Sequence, residues 1–461
     1  MGGEVLLGAD LGTSGLKVVA LDLAGIVVAE AEQAYAYGRP APGWAEIDVA
    51  TWCTALDVAL EALAAQLGDA RVLGFGFSGQ MHGAVLVGDD GTALRPALLW
   101  PDQRAVPELD RWRGLGADAR AALANPLAPG MTGPMLAWLG RHEPEVLRRA
   151  TGLLLPKDAV RASLLPGAEP VTDRSDASAT LLWDVVADDW SAAAVGAAGI
   201  DPALLPAVRP SAEITGTARL PFGEVPVAVG GADTPLAMLA AGAVAGAHVN
   251  LGTGAQLLRP RRDPGPAVDP LVHTYADTAD GWYAMAALQN GGSAWAWACD
   301  VLGLTWAEFA AAAASVPAGA GGVVFRPFLT GERGGVAGPD DRGGWTGLSA
   351  GTTRADLARA AVEGVVFAIR AAFELLDMRD QEPVLLTGGA MRAGLVAQLL
   401  AEALGRPVRP LGLRSASAVG AALLAGRGVG LDVDPERHAG PLLEPCTDPA
   451  LEAAFDRWST A

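Results

Sequence analysis

The chain is poor in basic residues and nearly devoid of lysine. Lysine and arginine number 33 against 52 aspartates and glutamates, a net charge of −19, and the only lysines are Lys17 and Lys157. No basic run and no strip of interleaved aromatic and basic side chains occurs, so nucleic acid and anionic membranes are poor partners. Neither lysine stands in a Gly-x-x-x-x-Gly-Lys-Ser/Thr pattern, which excludes a P-loop; any phosphate chemistry needs another cradle. The acidity does not exclude a nucleotide, because backbone N–H groups and a divalent cation neutralise phosphate locally. Cys53, Cys299 and Cys446 are too scattered for a Cys-x-x-Cys zinc pattern or a disulfide framework. Although 51% of residues are apolar, no unbroken apolar run reaches the roughly 18 residues of a membrane span. Neither a transmembrane helix nor a secretory signal is expected, and the compartment expected is the cytoplasm. His142-Glu143-Pro144 lacks a second histidine, and no Gly-x-Ser-x-Gly elbow occurs, which speaks against metalloprotease and hydrolase chemistry.

What the chain does have is a pair of glycine-threonine bends. Asp10-Leu11-Gly12-Thr13-Ser14-Gly15 lies between apolar runs Val5 to Ala9 and Leu16 to Leu21; Asn250-Leu251-Gly252-Thr253-Gly254 lies between Ala247 to Leu251 and Ala255 to Leu258. Both read as β-hairpins. Glycines let backbone N–H groups close on phosphate oxygens, and threonine hydroxyls add donors. One such bend is ordinary turn chemistry; two, the first led by an aspartate, point to one nucleotide held between two lobes. A length of 461 residues also exceeds what one hydrophobic core usually serves. The expected lobes are residues 1–242 and 243–461, closely packed and moving about a hinge.

Strand, turn and helix signals alternate as in an α/β chain. Ile26 to Ala31 reads as a third strand, Ile47 to Leu67 as an amphipathic helix, and Val72 to Phe77 as a strand leading into Ser78-Gly79-Gln80-Met81-His82-Gly83. Residues 100–230, richer in proline and tryptophan, read as insertions shaping a substrate pocket. Val225 to Val229 is a strand ending at Gly230-Gly231-Ala232-Asp233-Thr234-Pro235, and Leu236 begins a small-residue helix. Thr353-Arg354-Ala355-Asp356 has capping-box spacing and opens a long helix with Leu357, Ala361, Val365, Ile369 and Phe373 on one face. Pro383 to Thr387 is a strand ending at Gly388-Gly389, followed by a helix marked by Leu395, Leu399 and Ala403. Gly426 to Gly430 reads as a turn, and Pro449 to Arg457 as a last helix.

Gly74-Phe75-Gly76-Phe77-Ser78-Gly79 formally matches the dinucleotide fingerprint, but its glycines sit inside a strand rather than between strand and helix. They read instead as places where another backbone or a ligand comes close. His82 and Asp233 both follow strands, where α/β proteins bind ligands. The alternatives are a structural histidine and a helix N-cap carboxylate. If the lobes face each other, Asp233 accepts the proton of a substrate hydroxyl attacking the γ-phosphate. Asp10 then holds Mg²⁺ directly or through water, and the two bends position the phosphates.

These residues resemble the FGGY carbohydrate kinases, and among them the xylulose kinase branch, from about Glu4 to Gly426. The resemblance rests on Gly8 to Lys17, on Gly79-Gln80-Met81-His82-Gly83, on Leu99 to Arg104, on Leu155-Pro156-Lys157-Asp158, on Gly231-Ala232-Asp233, on Leu251 to Gly254, and on Gly343 to Glu363. It implies two ribonuclease-H-like lobes of the actin and hexokinase superfamily, with mixed β-sheets flanked by helices and a central cleft. It implies ATP and Mg²⁺ as cofactors and a ketose, foremost D-xylulose, as substrate. Asp233 and Asp10 are then catalytic, with Asp10 the metal ligand; Met81, His82, Trp100 and Asp233 bind sugar. Gly12, Thr13, Ser14, Lys17, Gly252, Thr253, Gly254, Gly388, Gly389 and Arg392 bind nucleotide. The pattern is broken by Pro101 for asparagine, by Met135 for lysine, by Gly334-Gly335 for Thr-Pro, and by Ala390 for a third glycine. Other readings are a kinase for another pentulose or a polyol, and a non-catalytic actin-like nucleotide-binding protein; a homodimer is left open.

Overall fold

The computed structural model describes residues 3–243, 246–378, 382–389 and 394–460. Two seven-stranded mixed sheets dominate it. The first begins with the Glu4–Leu11 and Gly15–Asp22 hairpin and continues antiparallel into Val27–Ala34. On the other side of Glu4–Leu11 lies Arg71–Gly79 in parallel, followed by Gly223–Ala228 and then Ile214–Leu220. The short strand Gly231–Ala232 also pairs with Arg71–Gly79, Gly231 opposite Ser78 and Ala232 opposite Gly79. The second sheet repeats the plan: the hairpin His248–Leu251 and Ala255–Arg261, antiparallel Trp282–Leu288 and His273–Ala276, and parallel Val384–Thr387 and Val408–Gly412.

Parallel neighbours require crossovers, and the apolar runs between them supply helices. Arg354–Glu374 starts at the Thr353–Asp356 capping box. It buries Ala361, Val365, Ile369 and Phe373 in the second core, and Leu357 is half-buried. The first-lobe helix begins at Val49 rather than Ile47. Asp48 accepts from the Ala50 amide as its cap, and Glu46–Ile47 pairs as a short strand with Ala97–Leu98.

Helix Ala416–Gly428 returns from the second half of the chain to pack on Glu4–Leu11, Arg71–Gly79 and Asp233–Ala241. Its approach explains the strand glycines. A Cβ on Gly76 would stand 2.0 Å from the Ala421 carbonyl oxygen, and one on Gly8 would stand 1.9 Å from that of Ala418. The same packing corrects the turn expected from Gly426. The helix runs through Gly426 to Gly428, where it packs so closely that a Cβ would strike Leu6 and the Ala212 carbonyl. Tertiary contact overrides glycine's poor helix propensity. No helix among the described residues is long and apolar enough to cross a membrane.

Candidate active site

Three strand ends of the first sheet lie side by side. Asp10, next to last in the first strand, stands opposite Ser78, and Gly231–Ala232 continues the same edge into the helix Asp233–Ala241. Ser78 Oγ donates to Asp10 Oδ1 at 2.8 Å. Ala232 takes the cap position and Asp233 opens the helix, its Oδ1 accepting the neighbouring Thr234 hydroxyl at 3.1 Å. Its carboxylate is therefore not spent as a helix cap. Burial pushes Asp233 up to about 7, the charge of Asp10 adding to the rise. Burial also raises Asp10, against the Ser78 hydrogen bond and the Lys17 charge. Two half-buried acids that repel one another are thus held at one edge.

The first bend is fixed around them. Gln80 Nε2 donates to the Gly12 carbonyl at 3.1 Å and Tyr35 Oη to the same oxygen at 2.6 Å; Trp100 Nε1 donates to Thr13 Oγ1 at 2.9 Å. Gly12, Thr13, Met81, His82, Trp100 and Asp233 line one cavity of about 460 Å³. His82 has φ 74°, a strained conformation for a non-glycine residue and a recurrent one at ligand sites. Its Nδ1 faces the Ala179 carbonyl, which can only accept, so Nδ1 carries the proton. Burial holds the ring near 4, hence neutral, which leaves Nε2 as a hydrogen-bond acceptor.

The far wall of that cavity comes from the second half of the chain: Gln256, Leu271, His273, Tyr275, Met285 and Arg333. The sequence did not single these out as site residues. The one signal was Gly331-Glu332-Arg333-Gly334-Gly335, whose place is now defined: Arg333, Gly334 and Gly335 line the cavity, and the Arg333 guanidinium lies 6.0 Å from the centre of the Trp100 ring. Buried Glu332 anchors the loop by accepting the Gln289 and Asn290 amides at 2.6 and 3.2 Å. Tyr283 Oη reaches Met81 Sδ at 3.9 Å.

The other nucleotide candidates lie outside this lining. Lys17 pairs with Glu32 at 3.2 Å on the neighbouring strand, and Ser14 stays in the first bend. The second bend abuts the helix Gly292–Leu302: the Gly291 and Ser293 amides donate to the Thr253 carbonyl, and the Gly292 amide to that of Gly252. Gly254 packs against the Leu288 carbonyl, and Gly388, at φ 93°, against that of Leu251. Gly252, Thr253, Gly254, Gly388 and Gly389 thus gather at one edge of the second sheet, and Gln256 carries that edge into the cavity. Arg392 and Ala390 lie outside the described residues. Pro101 adjoins the cavity without lining it, and Met135 is fully buried in an apolar cluster.

Residues 5–240 match the FGGY family of carbohydrate kinases, N-terminal domain, and residues 247–429 match its C-terminal domain. The chain belongs to the FGGY family. As an FGGY kinase it is a phosphotransferase that acts on a carbohydrate with ATP. It is 34% identical over 450 residues to the xylulose kinase of Escherichia coli (strain K12), covering 95% of this chain and 92% of that protein. It is 32% identical to the xylulose kinase of Streptomyces rubiginosus, covering 96% and 93%. The solved xylulose kinase of Rhodospirillum rubrum superposes with a TM-score of 0.89 at 28% identity, covering 99% of this chain and 97% of that one. The two-lobed mixed-sheet fold with its central cleft is that of these relatives.

Proposed function

We propose that this FGGY kinase transfers the γ-phosphoryl group of ATP to the terminal hydroxyl of D-xylulose, giving D-xylulose 5-phosphate, with Asp233 as general base. The observation that carries this reading is the convergence of Asp233, His82, Met81, Trp100 and the Gly12-Thr13 bend on one cavity, of a size suited to a small ligand. A base poised near neutrality is matched to proton removal from an alcohol at physiological pH. The neutral His82 acceptor and the Trp100 ring suit a chain of hydroxyls with apolar faces, and the identity to xylulose kinases supports the ketose.

The bends supply backbone donors: Gly12, Thr13 and Ser14 from the first lobe, Gly252, Thr253 and Gly254 from the second. Gly388, Gly389 and Arg392 are assigned to the adenosine, and Lys17 to steadying Asp10 electrostatically. Residues 1–242 supply the base and the His82, Met81 and Trp100 side of the sugar cavity, and residues 243–461 its far wall and most of the nucleotide contacts. The acids also fit a divalent cation. Asp10 and Asp233 are hard oxygen donors whose mutual repulsion a cation relieves, and no group of three or more ligating side chains stands together among the described residues. That donor set suits Mg²⁺ kept mainly by phosphate and water, with Asp10 as the protein ligand. When bound, Mg²⁺ offsets the charge of the transferring phosphoryl group. A cytoplasmic location follows from the need for ATP, and neither nucleic acid nor membrane takes part in this reading.

A panel of ketoses, aldoses and polyols assayed by coupled ADP release tests it. D-xylulose should give the highest kcat/KM. Turnover confined to glycerol would defeat the roles given to Met81 and His82, and absence of sugar-dependent turnover would favour the nucleotide-binding alternative.

A further inference from the structure

Behind the cavity lies a fully buried cluster of charge that the reaction itself does not use. Lys157 Nζ stands 2.8 Å from Asp158, 3.1 Å from Asp173 and 3.1 Å from Asp176, and Arg161 stands 2.8 Å from Asp158. Lys157, Asp158, Asp173, Ser175 and Asp176 have no exposure at all. Burial pulls the Lys157 ammonium down, but Asp158, Asp176 and Asp173 more than reverse this. Burial and the two other aspartates push Asp176 up to about 8. Such a cluster is seldom retained for stability, since an apolar replacement of equal volume is often as good. What it grips is more telling.

Asp173 Oδ2 accepts from Ser175 Oγ at 2.5 Å and from Ser211 Oγ at 2.8 Å. A carboxylate only accepts, so the Ser175 proton points at Asp173 and its lone pair is left for a donor. That donor is the backbone amide of Ala232, at 2.9 Å. Arg161 Nη1 donates to the Val229 carbonyl, so the cluster holds the segment before Asp233 from both ends. Lys157 also backs the partner strand: a Cβ on Gly79 would lie 2.8 Å from its Cβ. Within that segment the Val229 and Gly230 amides donate to the Glu213 and Ser211 carbonyls, and Gly231 and Ala232 pair with Arg71–Gly79; the Ser175 hydroxyl adds a side-chain contact to the amide directly before the carboxylate.

We infer that Lys157, Asp173 and Ser175 form a relay that positions Asp233, the ammonium fixing Asp173, Asp173 orienting the Ser175 hydroxyl, and that hydroxyl holding the Ala232 amide. Ser175 and Asp173 are on this view positioning residues, and the inference rests on the general-base reading of Asp233. Steady-state kinetics of the full chain with D-xylulose and MgATP test it with Ser175→Ala, Asp173→Asn and Asp233→Ala, alone and combined. Misplacement of a catalytic group by a fraction of an ångström costs on the order of tenfold or more. Ser175→Ala and Asp173→Asn should each lower kcat by about tenfold or more, with the sugar KM changed less than about threefold. In the Asp233→Ala background, Ser175→Ala should cost less than about twofold, because the group it positions is gone. Single variants that keep kcat within twofold, or losses that multiply in the Asp233→Ala background, would overturn the relay while leaving the kinase reading intact. Full activity of Asp233→Ala would overturn both.

Discussion

At the scale of single residues, the site is governed by burial acting on ionisable groups. Asp233 sits near 7 because its carboxylate is desolvated beside a second acid. Below that value it holds a proton and cannot take one from the sugar. The free-enzyme profile of kcat/KM should therefore rise with pH through about 7 and level off above it, and a profile already flat at pH 5 would contradict the assignment. His82 behaves oppositely: burial holds it near 4, so it is neutral across the working range and adds no limb there. Removing its acceptor in His82→Phe should raise the sugar KM at least about fivefold, since a buried polar contact to a hydroxyl is worth about 1–3 kcal/mol. A KM unchanged in a sugar titration would take His82 out of the pocket. These two residues were legible in the sequence because both follow strands at a sheet's edge. Their pKa values were not, because burial depends on neighbours distant in the chain.

At the scale of elements, the hairpins, the capped helix from Arg354 and the strand ends were legible from period and turn chemistry. Two boundaries differed. The helix expected at Ile47 yields its first residues to a short strand, and Gly426 to Gly428 stays helical under a tight contact. Both differences come from long-range packing, which no local window contains. The glycines inside Arg71–Gly79 were read as a close approach; the approaching body is the backbone of Ala416–Gly428 at Gly74 and Gly76 and Lys157 at Gly79. Gly76→Ala should accordingly destabilise the fold by about 1–3 kcal/mol or more, the cost of overpacking against a fixed backbone. Urea unfolding checks this, and an unaltered midpoint would mean that helix and strand are not so closely set.

On the scale of the whole molecule, the cavity proposed for the sugar is built from both halves of the chain, which the sequence did not disclose. Hairpin His273–Ala276 and Trp282–Leu288, together with the loop around Arg333, wall off a site whose chemistry comes from the first sheet. The contact between Arg333 and Trp100 spans the mouth. A cation over an indole at an exposed site is worth about 0.5–1 kcal/mol. Arg333→Ala should thus raise the sugar KM by roughly two- to fivefold, whereas an unchanged value would show that the mouth closes without it. Closure of the lobes on sugar, as proposed, would exclude water from competing as acceptor. Small-angle scattering should show a smaller radius of gyration with D-xylulose and a non-hydrolysable ATP analogue than without them, and identical curves would speak against a hinge. The central claim is that the carboxylate at position 233 takes the proton of the attacking sugar hydroxyl. Its most direct test is single-turnover phosphoryl transfer to D-xylulose by Asp233→Asn at saturating MgATP. The account predicts a rate lowered by at least about a hundredfold with the sugar still bound; transfer at the unsubstituted rate would contradict it.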